Sequence, residues 1–197
     1  MSETAQRLMD LAEVRMREVG YHGFSFRELA AEIGIKSASV HHHFPTKAGM
    51  AAAVARRYLE RFLEKVAPRP GENSEEAIAV YRSAFRSSLE QDGGMCLSGM
   101  LGAESGGLPA EVSEEIENFF RGAVADLTLR LGGDTDRAFA VLATLEGGLI
   151  LARAYGDVGA FDHAVMSLAA SANRDNGRWM RSPRFSRNLR VSDKLPA

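Results

Sequence analysis

The residues with the most obvious chemical potential are three adjacent histidines, His41–His43, and one cysteine, Cys96. Histidine binds metal ions, but neighbouring residues of a helix point about 100° apart, so helical His41–His43 cannot converge on one ion. The sequence contains no Gly-x-Ser-x-Gly motif, phosphate-binding loop, Cys-x-x-Cys pair or His-Glu-x-x-His motif. We therefore predict a protein that is not an enzyme and that uses no metal or cofactor.

Cys96 and Glu146 each have a structural and a chemical interpretation. Cys96, between Met95 and Leu97, is either a small buried hydrophobic residue or a thiol that senses electrophiles or oxidants. Glu146 is an acid on the apolar side of its predicted helix, so it either hydrogen-bonds a ligand or is an interface carboxylate with satisfied partners. A single cysteine cannot form an internal disulfide, which favours a reducing compartment.

Two short helices joined by a tight turn are predicted in the segment before Pro45. Ser25 followed three residues later by Glu28 is a capping box, which fixes the start of the first helix. Gly34 stands where a left-handed residue is needed to end that helix and turn the chain. Ser37 can cap the second helix, which Pro45 ends because the residue before a proline is pushed out of the α region. Two helices in this arrangement form a helix-turn-helix.

A helix-turn-helix places its second helix in the major groove of DNA, with its N-terminal residues facing the base edges. Residues 1–50 carry six Lys or Arg and six Asp or Glu, so contact with phosphate depends on local placement of positive charge. We expect groove contacts by Lys36, Ser37, Ser39, His41 and His42, close approach at Ala38, and phosphate contacts by Arg27 and Lys47.

The run from Arg7 to Lys47 resembles the DNA-binding domain of TetR/AcrR-type bacterial repressors. His41 stands where the family usually has a tyrosine that contacts phosphate, and Lys36-Ser37 replaces the more usual small-then-basic order. The resemblance implies a transcriptional repressor that binds operator DNA as a dimer and is released by a small-molecule effector. The positions that agree in order and spacing are Gly20-Tyr21, Phe24-Ser25, Arg27, Leu29-Ala30, Gly34-Ile35, Ala38-Ser39-Val40, His42-His43-Phe44 and Thr46-Lys47.

The remainder of the chain predicts more helices and no strand, which gives an all-α fold class. A long helix after Thr46 ends before Pro68, and a loop at 68–73 precedes a helix from Ser74. A mixed apolar and glycine-rich segment follows over 95–108. Further helices are predicted over 109–131, 134–156 and 160–172. On the helix after Thr46, three arginines are expected to form a solvated surface rather than to contact DNA; they are Arg56, Arg57 and Arg61.

We predict three parts: a helix-turn-helix DNA-binding domain (1–50), a helical effector-binding and dimerisation domain (51–173) and a basic tail (174–197). The tail has six arginines, one lysine and two aspartates, a net charge of +5. It is either disordered or an accessory arm for the DNA backbone. By the resemblance, the last two long helices form the dimer interface. Gly147-Gly148 would let another backbone approach closely, either from a second subunit or within one subunit.

The resemblance also implies a small-molecule cavity among the C-terminal helices. A rival hypothesis is an all-α ligand-binding or protein-interaction module that has lost DNA binding, because the N-terminal domain is neutral and the tyrosine is missing. The cavity candidates are chosen from apolar position and the layout of the family. They are Tyr81, Phe85, Met95, Cys96, Met100, Phe119, Phe120, Glu146 and Leu149.

Composition fits a soluble, cytoplasmic protein. The formal net charge is −2, and the hydrophobic and charged fractions of 45% and 25% are ordinary for a globular protein. No run of 18 or more apolar residues predicts a membrane span. The start, Ser2-Glu3-Thr4, lacks the layout of a signal peptide. We therefore expect no membrane partner.

Overall fold

Helices packed around two hydrophobic cores make up the structure. The computed structural model describes residues 2–90 and 94–170, and no strand occurs within these residues. The predicted all-α class is confirmed. The helices are α1 Glu3–Val19, α2 Phe26–Ile33, α3 Ser37–His43, α4 Lys47–Lys65, α5 Ser74–Glu90, α6 Leu97–Gly102, α7 Ala110–Arg130, α8 Thr135–Tyr155, α9 Val158–Ala164 and α10 Met166–Ala170, with a 3-10 helix at Ser105–Gly107.

α1 is the brace of the N-terminal domain. It begins where the Ser2 hydroxyl accepts the amide proton of Ala5, at 3.2 Å. Apolar residues at helical spacing, including Leu8 and Met16, are buried on one face. Gly20 ends the helix, as predicted, with φ +76°. Because α1 packs against α2, α4 and α6, it holds the helix-turn-helix against the rest of the chain.

α2 and α3 form the predicted helix-turn-helix, with two local differences. The Ser25 hydroxyl accepts the amide proton of Glu28 at 3.3 Å, but the Glu28 carboxylate accepts the hydroxyl proton at 2.8 Å instead of reaching the backbone. Gly34 turns the chain in the left-handed region, with φ +76° and ψ 31°. The prediction that Ser37 caps α3 is wrong. Lys36 is the cap residue, without a side-chain hydrogen bond, and Ser37 is the first helical residue.

The two cores meet along α4. The N-terminal core contains the buried residues of α1, α2, α3 and α4 as far as Ala55, together with residues of α6 and α7 such as Leu101 and Ile116. The C-terminal core contains buried residues from the second half of α4, from α5, α7, α8 and α9. Tyr58 is half-buried against both cores. α6 contacts both α1 and α4. The domain boundary at residue 50 stays a prediction.

The chain after α5 differs from the prediction in two places. α6 and the 3-10 helix lie inside residues 95–108, the mixed apolar and glycine-rich segment to which the sequence assigns no helix. The helix predicted over 160–172 is divided at Val165 into α9 and α10. Residues 91–93, residues 171–173 and the predicted basic tail at 174–197 lie outside the described residues.

α8 is apolar on more than one face. By length and composition it could cross a membrane, a property that the sequence did not lead us to expect, but here it packs against α5, α7 and α9. Gly148 allows α9 to approach, because a Cβ at this position would lie 2.9 Å from Phe161. A Cβ at Gly147 would have no atom of the described residues within 4 Å. One glycine of the pair therefore serves packing within the chain, and the other faces outward.

Candidate nucleic-acid interface and buried polar cluster

α3 presents a short row of small and polar side chains to solvent. Val40 is fully buried and anchors α3 against α1 and α2. The opposite side of the helix is open, and we call it the α3 face. The residues predicted to enter the groove share this face: Lys36, Ala38, Ser39, His41 and His42 are exposed, and Ser37 is half-buried.

His41 is held by its neighbours although it is exposed. Its ring lies 5.0 Å from that of Phe26 in an edge-to-face arrangement, and its Nδ1 lies 3.4 Å from the carbonyl oxygen of Pro45. The ring of His42 contacts His43 at 5.5 Å. Among the residues that the structure describes, no three His, Cys, Asp or Glu side chains form a metal site. The histidines are therefore arranged as separate surface groups.

The two predicted phosphate contacts, Arg27 and Lys47, lie in different surroundings. Arg27 is exposed on α2. Lys47 is half-buried, with Nζ 4.6 Å and 4.5 Å from the ring centroids of Tyr21 and Phe24. Burial lowers the pKa of Lys47, while two nearby carboxylates act in the opposite direction. Lys47 therefore braces the start of α4 against the segment after α1.

The arginines of α4 pair with acids of neighbouring helices, which corrects the prediction of a purely solvated surface. Arg57 lies 3.3 Å from Glu13 of α1, and Arg61 pairs with the same carboxylate. Arg56 pairs with Glu115 of α7. Arg56 and Arg61 remain exposed, yet all three arginines tie α4 to the helices beside it.

Arg17, at the end of α1, joins the predicted DNA-binding domain to the predicted effector-binding domain. It is buried, and it donates from Nε to the carbonyl of Met95 at 2.6 Å and from a terminal nitrogen to that of Ser88 at 3.0 Å. Arg153 of α8 donates in turn to the carbonyl of Arg17 at 3.0 Å. We call these four residues the interdomain clasp. The sequence did not lead us to predict this clasp. The one sequence pattern that involves Arg17 is its position four residues after Glu13, which is buried.

Glu104, after α6, makes a second contact between the domains. Its Oε2 accepts the amide proton of Tyr21 at 2.9 Å. Gly20 packs so closely that a Cβ would overlap Oε1 of the same carboxylate. Gly20 also has φ +76° and ψ −175°, a conformation that is essentially restricted to glycine.

We expect Gly20→Ala to lower the free energy of unfolding by about 2 kcal/mol more than Gly34→Ala does. Gly34 has the same φ, but a Cβ there would have no atom of the described residues within 4 Å. Its substitution therefore adds backbone strain without a collision. Urea unfolding of both variants beside the wild type measures the difference. Equal losses would contradict the role given to Glu104.

Most of the predicted effector residues come together as a packed core. Phe62, which sequence reasoning did not select, lies among three of them, with ring centroids 5.6 Å from Tyr81, 5.7 Å from Phe85 and 5.0 Å from Phe119. The Tyr81 hydroxyl donates to Asp126 at 2.7 Å, so it is satisfied within the chain. Tyr81, Phe85, Met95, Cys96, Phe119 and Leu149 are buried in the C-terminal core, and Met100 and Phe120 are half-buried beside it.

Two adjoining grooves lie beside α4 and α5, and their linings contain none of the predicted effector residues. The larger has a volume of about 530 Å³ and is lined by the end of α4, residues 69–72 and α5. The smaller groove, of about 230 Å³, includes Tyr58, Phe62, Ala84 and Ser88 in its lining. Because Tyr58 and Phe62 also pack in the C-terminal core, the smaller groove leads toward that core.

Polar groups are buried together where α4, α6 and α8 meet. We call the side chains of Tyr58, Cys96 and Glu146, with the backbone of Gly99, the polar cluster. Both carboxylate oxygens of Glu146 are buried, and no described residue makes a hydrogen bond of normal geometry to them. Burial raises the pKa of Glu146 to about 7, although the nearby Cys96 thiol partly offsets this effect. A Cβ at Gly99 would overlap Oε2 of Glu146, so the carboxylate fills the space that glycine leaves.

Cys96 is buried, and its Sγ accepts the amide proton of Gly99 at 3.5 Å. Burial, and then the charge of Glu146, raise the pKa of this thiol well above its ordinary value. A buried, protonated thiol is a poor nucleophile. The structure therefore favours the small buried residue over the sensor as the interpretation of Cys96.

Residues 8–54 match the family model described as bacterial regulatory proteins, tetR family. Several solved structures have the same fold. A TetR-family transcriptional regulator from Agrobacterium tumefaciens is 23% identical, with 85% of this chain and 96% of that chain covered and a TM-score of 0.81. A TetR regulator from Legionella pneumophila is 26% identical over 87% and 98% of the two chains, with a TM-score of 0.78. NemR of E. coli in its reduced form is 20% identical over 86% and 96%, with a TM-score of 0.73.

The family match covers the helix-turn-helix and the start of α4, and the structural similarity extends over the helical remainder. The predicted resemblance is confirmed for the N-terminal part of the chain, where residues 8–54 match the tetR family model, and the described helices share the fold of solved TetR-family regulators.

Proposed function

We propose that this protein is a cytoplasmic repressor that binds operator DNA as a homodimer and is released by a small-molecule effector. The α3 face carries the proposal, because small and polar side chains protrude from it while Val40 fixes the helix beneath them. Such a helix fits the major groove with its N-terminal residues at the base edges. Lys36, Ser39 and His42 are the proposed base contacts, and the exposed Arg27 is the proposed phosphate contact.

An apolar surface on α8 supports the proposed dimer. Phe139 and Ile150 expose 59% and 58% of their surfaces. Phe139, Ala143 and Gly147 follow at four-residue spacing, which aligns them on one side of the helix. Small residues on this side would let the α8 of a second copy approach closely. We therefore place α8 at the centre of the proposed interface, with α7, the other of the last two long helices, at its border.

The interdomain clasp supplies a route from the effector domain to the DNA-binding domain. Met95, whose carbonyl accepts the Nε proton of Arg17, directly precedes Cys96 of the polar cluster. A ligand that displaces the polar cluster would therefore move the end of α1. It weakens DNA binding only as far as it binds the displaced conformation more tightly than the DNA-bound one.

Selection of bound fragments from genomic DNA, followed by titration of the selected sequence, tests the proposed DNA binding. We expect Ser39→Glu to weaken binding about tenfold or more, because it adds a negative charge to the α3 face and removes a base contact. Ser83→Glu, at an exposed position of α5, is the matched control and should bind as the wild type does. Fluorescence anisotropy at two salt concentrations gives the dissociation constants.

Equal affinities for the two variants would remove α3 from the DNA interface. If the wild type binds no genomic fragment even at low ionic strength, the proposed repressor is excluded. The all-α ligand-binding or interaction module would then be the better hypothesis.

A further inference from the structure

Glu146 is an acid inside an apolar core without a cationic partner. No Lys, Arg or His among the described residues forms an ion pair with it. Neither of its oxygens has a partner there in a hydrogen bond of normal geometry, and the nearby Cys96 thiol is a weak donor. Other buried acids behave differently: Glu115 pairs with Arg56, and Glu13 pairs with Arg57 and Arg61. A buried carboxylate without a partner is costly. Its presence in the C-terminal core therefore points to a partner that the chain itself does not supply.

Arg17 of the clasp does not take that role, because its hydrogen bonds go elsewhere. Arg17 influences the Tyr58 hydroxyl of the polar cluster, but two of its nitrogens are bonded to the carbonyls of Met95 and Ser88. Cys96 offers one weak donor, and its pKa is raised by the same Glu146 charge. The polar cluster thus has an acceptor in excess of its donors.

The smaller groove gives the polar cluster an approach from the surface. Tyr58 belongs to both, and its buried hydroxyl interacts with Cys96. Phe62 and Ala84 belong to the apolar part of the groove lining. The polar part consists of Glu13, Arg61, Lys65 and Ser88, and Arg61 pairs with Glu13. A ligand with an apolar body in the groove and a donor group at its inner end would meet Tyr58 first and Glu146 beyond it. The volume of about 230 Å³ suits a small ligand.

We propose that Glu146 anchors the protonated nitrogen of a small organic amine that enters past Tyr58. This inference rests on the proposed effector response and specifies the chemical class of the effector. An ammonium group satisfies the carboxylate by charge and by hydrogen bonding together, and such charge-assisted bonds are about twice as strong as neutral ones. A neutral donor of the same shape supplies the hydrogen bond without the charge. An anion would add a second negative charge beside Glu146 and is excluded.

The test compares benzylamine, phenethylamine and tryptamine with benzyl alcohol, phenethyl alcohol and tryptophol on the full chain at pH 8. We expect at least one amine to bind the wild type about tenfold or more tightly than its alcohol by calorimetry, a preference that E146Q abolishes. Glu117→Gln removes an exposed carboxylate that pairs with Arg121 on α7, so this control should keep the preference. Equal binding of each amine and its alcohol, retention of the preference in E146Q, or no amine binding overturns the inference.

A ligand-free measurement separates a binding site from a structural carboxylate. If the partner of the Glu146 carboxylate is an external cation, E146Q should unfold at a higher temperature than the ligand-free wild type at pH 8. If E146Q is less stable or does not fold, Glu146 has a partner within the chain and the inference is wrong. The amine is then added to the DNA complex and anisotropy is followed. Amine binding without DNA release would contradict the proposed effector response but leave the Glu146 site intact.

Discussion

Ile150→Glu is expected to convert the protein to a monomer and to weaken operator binding by about 100-fold or more. Ile150 exposes 58% of its surface on the apolar side of α8. In a twofold interface the same patch meets its own copy, so one substitution introduces two carboxylates close together in an apolar contact. Burial of unpaired charge opposes association strongly. A monomer contacts one half-site, which removes the benefit of two linked contacts.

Sedimentation velocity at micromolar concentration, with DNA titration of the same samples, measures both effects. Ala31→Glu is the control for oligomeric state, since Ala31 is exposed on α2, within the helix-turn-helix. It should leave the dimer intact. A dimer that persists in Ile150→Glu would move the interface to another surface.

The stability gained by E146Q is expected to grow with pH, from near zero at pH 4 to about 3 kcal/mol at pH 8. Burial raises the pKa of Glu146 from 4.5 to about 7. Between these values the folded chain keeps a proton that the unfolded chain has lost, so the wild type loses stability as pH rises through this window. Above about pH 7 the full cost is present. The glutamine of E146Q does not titrate, so E146Q does not lose stability through this ionisation. The free energies of unfolding of the two proteins should therefore differ most at high pH.

Urea unfolding of the wild type and E146Q at pH 4, 5, 6, 7 and 8 gives the difference at each pH, and the other titrating groups cancel in the comparison. The titratable groups that face Glu146 within the polar cluster add no pH dependence of their own between pH 4 and pH 8. Burial raises the pKa of both the Cys96 thiol and the Tyr58 hydroxyl, so both stay protonated across this range. A difference that is constant with pH would mean that Glu146 keeps its ordinary pKa.

The helix-turn-helix could be predicted because its determinants are local. Ser25 and Glu28 mark the start of α2, Gly34 turns the chain in the left-handed region, and Pro45 limits α3. Each of these effects acts within four residues of the sequence. The sequence places the start of α3 one residue too late, since Ser37 is the first helical residue and Lys36, which makes no side-chain cap hydrogen bond, precedes it.

The contacts between the domains could not be predicted, because they join residues far apart in sequence. Arg17 meets the carbonyl of Met95, 78 residues away, and Arg153 meets the carbonyl of Arg17, 136 residues away. An arginine near the end of a helix normally predicts a solvated surface. Its burial depends on backbone carbonyls, which every residue has and which leave no mark in the sequence.

The positions of the predicted effector residues could be predicted from the sequence only in part. Apolar positions on α5, α7 and α8 correctly bring Tyr81, Phe119 and Leu149 into one core. Helical periodicity identifies the buried side of a helix but does not show whether that side meets another helix or a ligand. The position of Glu146 on an apolar side was visible in the sequence, whereas the missing partner of its carboxylate required the packing around it.

The enclosure of Cys96 has a practical consequence for spectroscopy. Since this is the one sulfhydryl of the chain, maleimide dyes and nitroxide spin labels should leave the native protein unmodified. A cysteine introduced at the exposed position of Ala31 on α2 would then carry the label alone. In a symmetric dimer each copy bears one label, so a single distance distribution would report how far apart the two helix-turn-helix units stand before and after an amine is added.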